Sequence, residues 1–497
     1  MEVKRFLIKE SRRFIRGMTL ALAVLVTALC FVGCGEKDDD NQATIPPFDS
    51  SQPVEISDFT PKEGSVGQRL IIYGKNFGND TEIIHVFIGG KEAKVIGVTG
   101  DAIYCIVPEK AFAGNIEIRI GDGENPVVAA AASSFAYQRK MVTSTLFGYR
   151  NERDDQPNGN YADFSQATLF KNDSWMKFDP QNPNHLYIAF DGAELSLIDL
   201  QEERFSRVLA KGSNFDRVRS VDFTLDGQYM IIANDQEGTE DPSTVIVPRQ
   251  NNFMSGQQVL TRYRQCNGGS IHPINGELYF NSYEKGQFYR FDLANAQYFG
   301  GTLGVKDYEE LFKIQDVNWE FNIRIHPSGN YAYIVVVNQH YILRSDYNWN
   351  TKKFTPAYLV CGESRASGYL DAVGSAARLN RPYQGVFVKN PEYAGRQDEY
   401  DFYFTDCNNH CIRILTPDGL VSTFAGRGST SLNTDVWGYV EGDLRLETRF
   451  RDPTGLAYDE STNTFYVGDK NNRRIRKIAM EDTGEETEEE TEEGTGE

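Results

Sequence analysis

The chain begins with six Lys and Arg residues ahead of an apolar run, residues 18–32, which ends in small side chains. A cationic head followed by an apolar stretch too short for a comfortable membrane span reads as a secretory signal, so it is set aside from the fold. After a Pro- and Ser-bearing linker at 41–53, apolar positions begin to alternate with polar ones and turn residues recur. A period of two predicts strands, here at 56–59, 69–73, 83–88, 94–98, 102–107, 115–120 and 134–137. That set is enough for one small β-sandwich.

From residue 141 onward one pattern repeats: an apolar strand, a turn of Asp, Asn, Gly or Pro, then a second strand rich in aromatics. The units fall at 176–189, 221–233, 271–281, 323–335, 386–405 and 456–468. Their starts lie roughly 45 to 70 residues apart, the spacing of four-stranded propeller blades. The predicted fold class is therefore all-β, an immunoglobulin-like sandwich followed by a six-bladed β-propeller. Residues 142–148 mimic the outer strand at 421–426, yet nothing before them could supply the rest of a blade. The last unit ends after Ile478 without an outer strand, so the first strand is expected to join the last blade and remove the open sheet edges.

Composition adds the boundaries. In 497 residues with a net charge of −20, ten acidic residues crowd into the last 17 positions, a tail with no apolar residue to bury. The expected division is a signal at 1–33, a lipidated linker at 34–53, the sandwich at 54–138, the propeller at 141–480 and a disordered tail at 481–497. An acidic body argues against nucleic acid as a partner, since phosphates demand a basic surface.

Seven Cys are present. Cys34 follows Phe31-Val32-Gly33, which resembles the lipobox of bacterial lipoproteins, and the resemblance implies cleavage before Cys34 and its acylation. Glu36-Lys37-Asp38-Asp39-Asp40 is similar to the acidic signal that exports Bacteroidetes lipoproteins to the outer leaflet of the outer membrane. The membrane would then be touched through the lipid anchor only. Loss of Cys30 and acylation of Cys34 leave an odd set of five, in which Cys407 and Cys411 flank a turn and could pair in an oxidising compartment. Spacing C-x3-C without a second pair or matched His is weak evidence for zinc, and no metal or cofactor is expected.

Two resemblances sharpen the architecture. Pro61, Gly64, Gly67, Gly74-Lys75-Asn76-Phe77-Gly78, Val86, Ile88-Gly89-Gly90, Ala93, Val107-Pro108, Gly114 and Phe135-Ala136-Tyr137 resemble the TIG or IPT family of immunoglobulin-like domains. Asp406, Asn408-Asn409, Ile412-Arg413-Ile414 and Gly419, with Tyr466-Val467-Gly468-Asp469, Asn471-Asn472-Arg473 and Ile475-Arg476-Lys477-Ile478, resemble the NHL repeat. Together with the lipobox they look like surface glycan-binding lipoproteins that accompany outer-membrane nutrient transporters. That resemblance implies polysaccharide or oligosaccharide capture without catalysis, with transporter components as partners.

In such a propeller the loops between blades and those between second and third strands share one face. Here they are long, at 149–174, 210–219, 261–268, 300–321, 362–384 and 427–454. Trp175, Trp319 and Trp437 are expected on or beside that face, where a flat ring can stack on the C–H face of a sugar. By repeat register Arg219, Tyr283, Asn322, Tyr383 and Gln384 fall nearby, and these eight residues form the candidate ligand-binding set. His272 and His326, each before Pro, are expected to bond turns rather than a metal. No G-x-S-x-G, phosphate loop or sequence-adjacent carboxylate pair in a convincing loop context appears, but carboxylates could come together from distant blades, so a polysaccharide lyase or glycoside-degrading enzyme is the alternative, and a protein-interaction scaffold a third.

Overall fold

The computed structural model describes residues 45–121, 125–148, 159–212, 215–236, 241–293, 308–429 and 435–482. The signal, Cys34, the acidic segment behind it and the tail beyond residue 482 lie outside the described residues.

The sandwich follows the period-two pattern. In Arg69–Lys75 the side chains of Leu70 and Ile72 are buried while Arg69 and Tyr73 face out, and in Ile116–Ile120 the three Ile are buried around Glu117 and Arg119. The strands run in the order Glu55–Thr60, Arg69–Lys75, Ala102–Ile106, Lys91–Val98, Ile84–Ile88, Ile116–Ile120, Val127–Ala130. The last of these, an Ala-rich strand, was not among the predicted ones. Cys105 sits fully buried in this core, where desolvation pushes its thiol up to about 12. Within Gly74-Lys75-Asn76-Phe77-Gly78 the two glycines do different work: a Cβ on Gly74 would lie 1.9 Å from the Glu55 carbonyl oxygen, whereas Gly78 has φ +76°.

Six four-stranded antiparallel blades follow, at 174–209, 218–262, 269–313, 321–362, 382–426 and 453–480. Each of the six repeats predicted from the sequence supplies the two inner strands of one blade. The sixth blade takes its outer strand from Met141–Gly148, which pairs antiparallel with Arg474–Met480 in a register that sets Thr143 against Ile478. The ring therefore closes as expected.

There is no central core. Six apolar clusters each span a junction between neighbouring blades; Trp175, Tyr187 and Leu195 of the first blade meet Val218, Met230 and Val245 of the second. Around the channel the inner strands are stitched by side chains. Gln384 Oε1 accepts from Met176 N and Leu456 N at 2.8 and 2.9 Å, and its Nε2 donates to Met176 O at 2.6 Å, tying three blades together.

The sandwich is fastened to the closing blade. Glu481 is buried, its carboxylate accepts from Tyr137 Oη, and its backbone carbonyl accepts from Arg139 Nε at 2.9 Å. Lys140 Nζ bridges Val66 O at 2.6 Å and the Asp443 carboxylate. Glu481 thus belongs to the fold, although its acidic neighbours had assigned it to the tail. Cys407 and Cys411 are separate buried thiols and form no disulfide. Cys407 faces Arg381, whose NH1 donates to its Sγ at 3.3 Å, while Cys411 is held in a strand between Asp406 and Gly426.

Candidate functional site

The loop-rich face is built by a device repeated from blade to blade. A polar residue ending the second strand accepts backbone N–H groups from the loop that enters its own blade. Asn234 takes Asp216 N and Arg217 N, Asn281 takes Asn267 N and Gly268 N, Asp406 takes Asn380 N and Asp469 takes Arg451 N. In the two blades with NHL lettering an Arg seven residues on completes the device. Arg413 donates to Asp406 at 2.8 Å and Arg476 to Asp469 at 3.2 Å, and all four side chains are buried. Next comes a left-handed turn residue. His340 and His410 occupy it with φ +67° and +57°, and each Nδ1 accepts the N–H of a residue entering the following blade, Arg381 and Asp452.

This scaffold holds a cup of paired charges over the channel mouth, with a contribution from every blade. Arg217 grips Asp191 through two bonds of 3.1 Å, and Arg219 reaches Asp191 at 3.0 Å and Asp235 at 3.3 Å. Arg219 also contacts the Glu320 carboxylate, and Asn267 Nδ2 donates to Asp235 at 3.0 Å. On the other side Arg381 pairs with Asp173, which Lys470 meets at 2.8 Å. Four carboxylates face four cations, so the cup is electrically balanced. Arg219 Nε and Asn267 Oδ1 are among the buried atoms of the cup that have no hydrogen-bond partner among the described residues.

Burial alone would raise the Asp173 carboxyl, but Arg381 and then Lys470 outweigh it and hold the group down from its ordinary 3.8 to about 2. A folded-state value below the unfolded one means stability that is present above pH 4 and lost as pH falls through 2. Asp173 is only 11% exposed, so the shift corresponds to about 2 kcal/mol. Denaturant titrations at pH 4 and pH 2 are expected to show the wild type losing about 2 kcal/mol more than Asp173→Asn. Parallel losses would contradict the pairing.

The predicted residues divide. Arg219 is central to the cup, Tyr383 lies buried beside it with the Arg381 guanidinium 5.4 Å from its ring, and Trp319, 39% exposed, precedes Glu320. Trp437 is exposed in the last interblade loop with Arg451 4.7 Å from its ring, and Tyr283 is half-buried in a turn of the third blade. Three assignments need correction. Trp175 is buried between blades and donates from Nε1 to Val221 O at 3.2 Å; Gln384 is consumed by the interblade staple; buried Asn322 reaches only the Tyr383 carbonyl, at 3.5 Å. Repeat register fixes height along the channel but not what a side chain is already bonded to. The reading missed Asp173, Asp191, Arg217, Asp235, Asn267, Glu320, Arg381 and Lys470. The signal was there: each lies just before a first strand or just after a second one.

His272 and His326 each bond a turn. His272 Nε2 lies 3.0 Å from Gly329 O, and His326 Nδ1 bonds Ser328 Oγ at 2.7 Å. Among the described residues no group of three His, Cys, Asp or Glu side chains could hold a metal ion. No described helix is long and apolar enough to cross a membrane. Trp349 lies in a hairpin on the opposite face, where its Nε1 donates to Asn330 Oδ1 at 2.9 Å.

The IPT/TIG domain model matches residues 53–138 and the NHL repeat model residues 450–478. Curated human NHL repeat-containing protein 2 is 29% identical over 117 residues, which are 23% of this chain and 14% of that protein. Among solved structures, an auxiliary nutrient binding protein from Bacteroides thetaiotaomicron VPI-5482 is 46% identical, covering 88% of this chain and 100% of its own, with a TM-score of 0.78. A protein of the same organism provisionally named a phosphatase is 47% identical, covering 88% and 99%, with a TM-score of 0.79. An auxiliary nutrient binding protein from Bacteroides ovatus ATCC 8483 is 36% identical, covering 88% and 100%, with a TM-score of 0.65. Identity at this level over the full length of those chains, with the same succession of sandwich and closed ring, means that the chain belongs to the family of Bacteroides TIG–NHL propeller proteins that they represent.

Proposed function

We propose that this protein is a non-catalytic lipoprotein of the outer cell surface that captures a polysaccharide on the loop-rich face of its propeller and assists an outer-membrane uptake system. The observation that carries the reading is the balanced cup beside exposed Trp319. A sugar hydroxyl both donates and accepts, and planar Asp, Asn and Arg groups already fixed by one another offer both without reorganising. Equal numbers of acids and cations favour a neutral glycan over a polyanion, and an indole ring can cover the apolar face of a pyranose. The names of the Bacteroides relatives at 46% and 36% identity support a binding role. The sequence around Cys34 supports the anchor, and the sandwich, clamped to the closing blade, would serve as a stiff spacer.

Affinity electrophoresis of the protein without its lipid against a panel of neutral polysaccharides tests the reading. At least one glycan is expected to retard the wild type, and Trp319→Ala is expected to weaken binding about tenfold, as truncation of an aromatic anchor does. Indifference to every glycan, or turnover of a phosphomonoester such as p-nitrophenyl phosphate, would overturn it.

A further inference from the structure

The channel also opens at the opposite end. Between the inner-strand turns lies a cavity of about 420 Å³, with Phe178, Ile325, Phe387 and Tyr458 in its wall. The recess shares no lining residue with the charged cup, so the two are distinct places on the molecule. The lining also carries Lys177, Asp222 and Arg324.

The Asp222 carboxylate is fully engaged. It accepts from Lys177 Nζ at 2.8 Å, Phe223 N at 3.0 Å, Ile271 N at 2.9 Å and Ser270 Oγ at 3.2 Å. Arg324 is left over. Its side chain makes no hydrogen bond to any described residue, its Nε is buried without a partner, and its guanidinium carbon lies 5.6 Å from the Trp175 ring. Burial pushes the guanidinium below its ordinary value, and Asp222 offsets this only in part. Two cations against one saturated carboxylate leave a positive charge uncompensated in an apolar-walled recess, an arrangement that is costly unless an anion completes it.

We propose that this recess is a second ligand site, for a small organic carboxylate that sets its acid group against Arg324 and its body along Phe178, Phe387 and Tyr458. A guanidinium fork matches a carboxylate through two parallel bonds. The volume exceeds what an inorganic anion fills and suits a ring-sized body. Nothing here depends on glycan binding at the cup.

Calorimetry and thermal melts of the intact soluble protein with millimolar sodium benzoate and sodium glucuronate, and with inorganic phosphate as the comparison, test the site. At least one of the two carboxylates is expected to bind one to one and raise the melting temperature. Arg324→Met is expected to melt higher than the wild type without ligand, because a cation with no hydrogen-bond partner among the described residues is gone, and to bind the carboxylate at least about tenfold more weakly. Arg324→Lys is expected to keep part of the affinity, and Trp319→Ala all of it. Silence from both carboxylates, undiminished binding in Arg324→Met, or binding of phosphate alone would overturn the assignment.

Discussion

Replacing Phe147 with Ala is expected to cost about 3–5 kcal/mol, although the residue lies in a strand that precedes every repeat of the ring. Phe147 is 3% exposed, stacks on Phe164 at 4.7 Å and meets Phe205 at 5.5 Å. Its cluster joins Ala457, Tyr466 and Ile475 of the sixth blade to Leu186 and Phe190 of the first, so the side chain seals the seam where the ring closes. Truncation leaves a cavity there and loosens Met141–Gly148, whose release would expose the edge of Arg474–Met480. Denaturant unfolding with light scattering would register both effects, lower stability and association through the freed edge. Leu420→Ala, on an exposed outer-strand position of the fifth blade, is expected to cost under about 1 kcal/mol. Equal costs for the two substitutions would mean that the seam carries no special load.

The second large effect belongs to the NHL lettering. Arg413→Met is expected to destabilise by about 3–5 kcal/mol, because it strands the buried Asp406 carboxylate. Arg413 also donates to Leu370 O at 3.1 Å, to Asp371 at 2.7 Å and to Arg378 O at 3.3 Å, so the loop entering the fifth blade loses three of its ties. Adding Asp406→Asn to Arg413→Met is expected to recover part of the loss, since no buried charge then remains unpaired. Strict additivity of the two substitutions, measured by chemical denaturation, would show that the pair does not act as a unit.

These two sites mark what could be read without coordinates. Blade strands announce themselves because Val, Ile and aromatic residues recur with a period set by the pleat, and the closing strand was legible because 142–148 mimics 421–426 without a blade of its own. Val127–Ala130 escaped because its two Val run without alternation into a stretch of Ala, even though it pairs along Ile116–Ile120. The cup was harder. It takes one to three polar residues from each blade, far apart in sequence, and Asp173 meets Lys470 only because the ring closes. Trp175 and Gln384 carry the side chains expected of a ligand site, yet both are bonded to the backbone of another blade. The proposed disulfide failed for a related reason, since Cys407 and Cys411 are near in sequence but packed in different surroundings.

Hydrogen exchange with and without a bound neutral glycan tests the central claim most directly, because it reads where the ligand sits without presuming which residue anchors it. Slowed exchange is predicted in the segments that carry Asp173, Arg217 to Arg219, Trp319 to Glu320 and Arg381, all on the loop-rich face. Protection confined to the hairpin turns on the other side, or to the sandwich, would contradict the account.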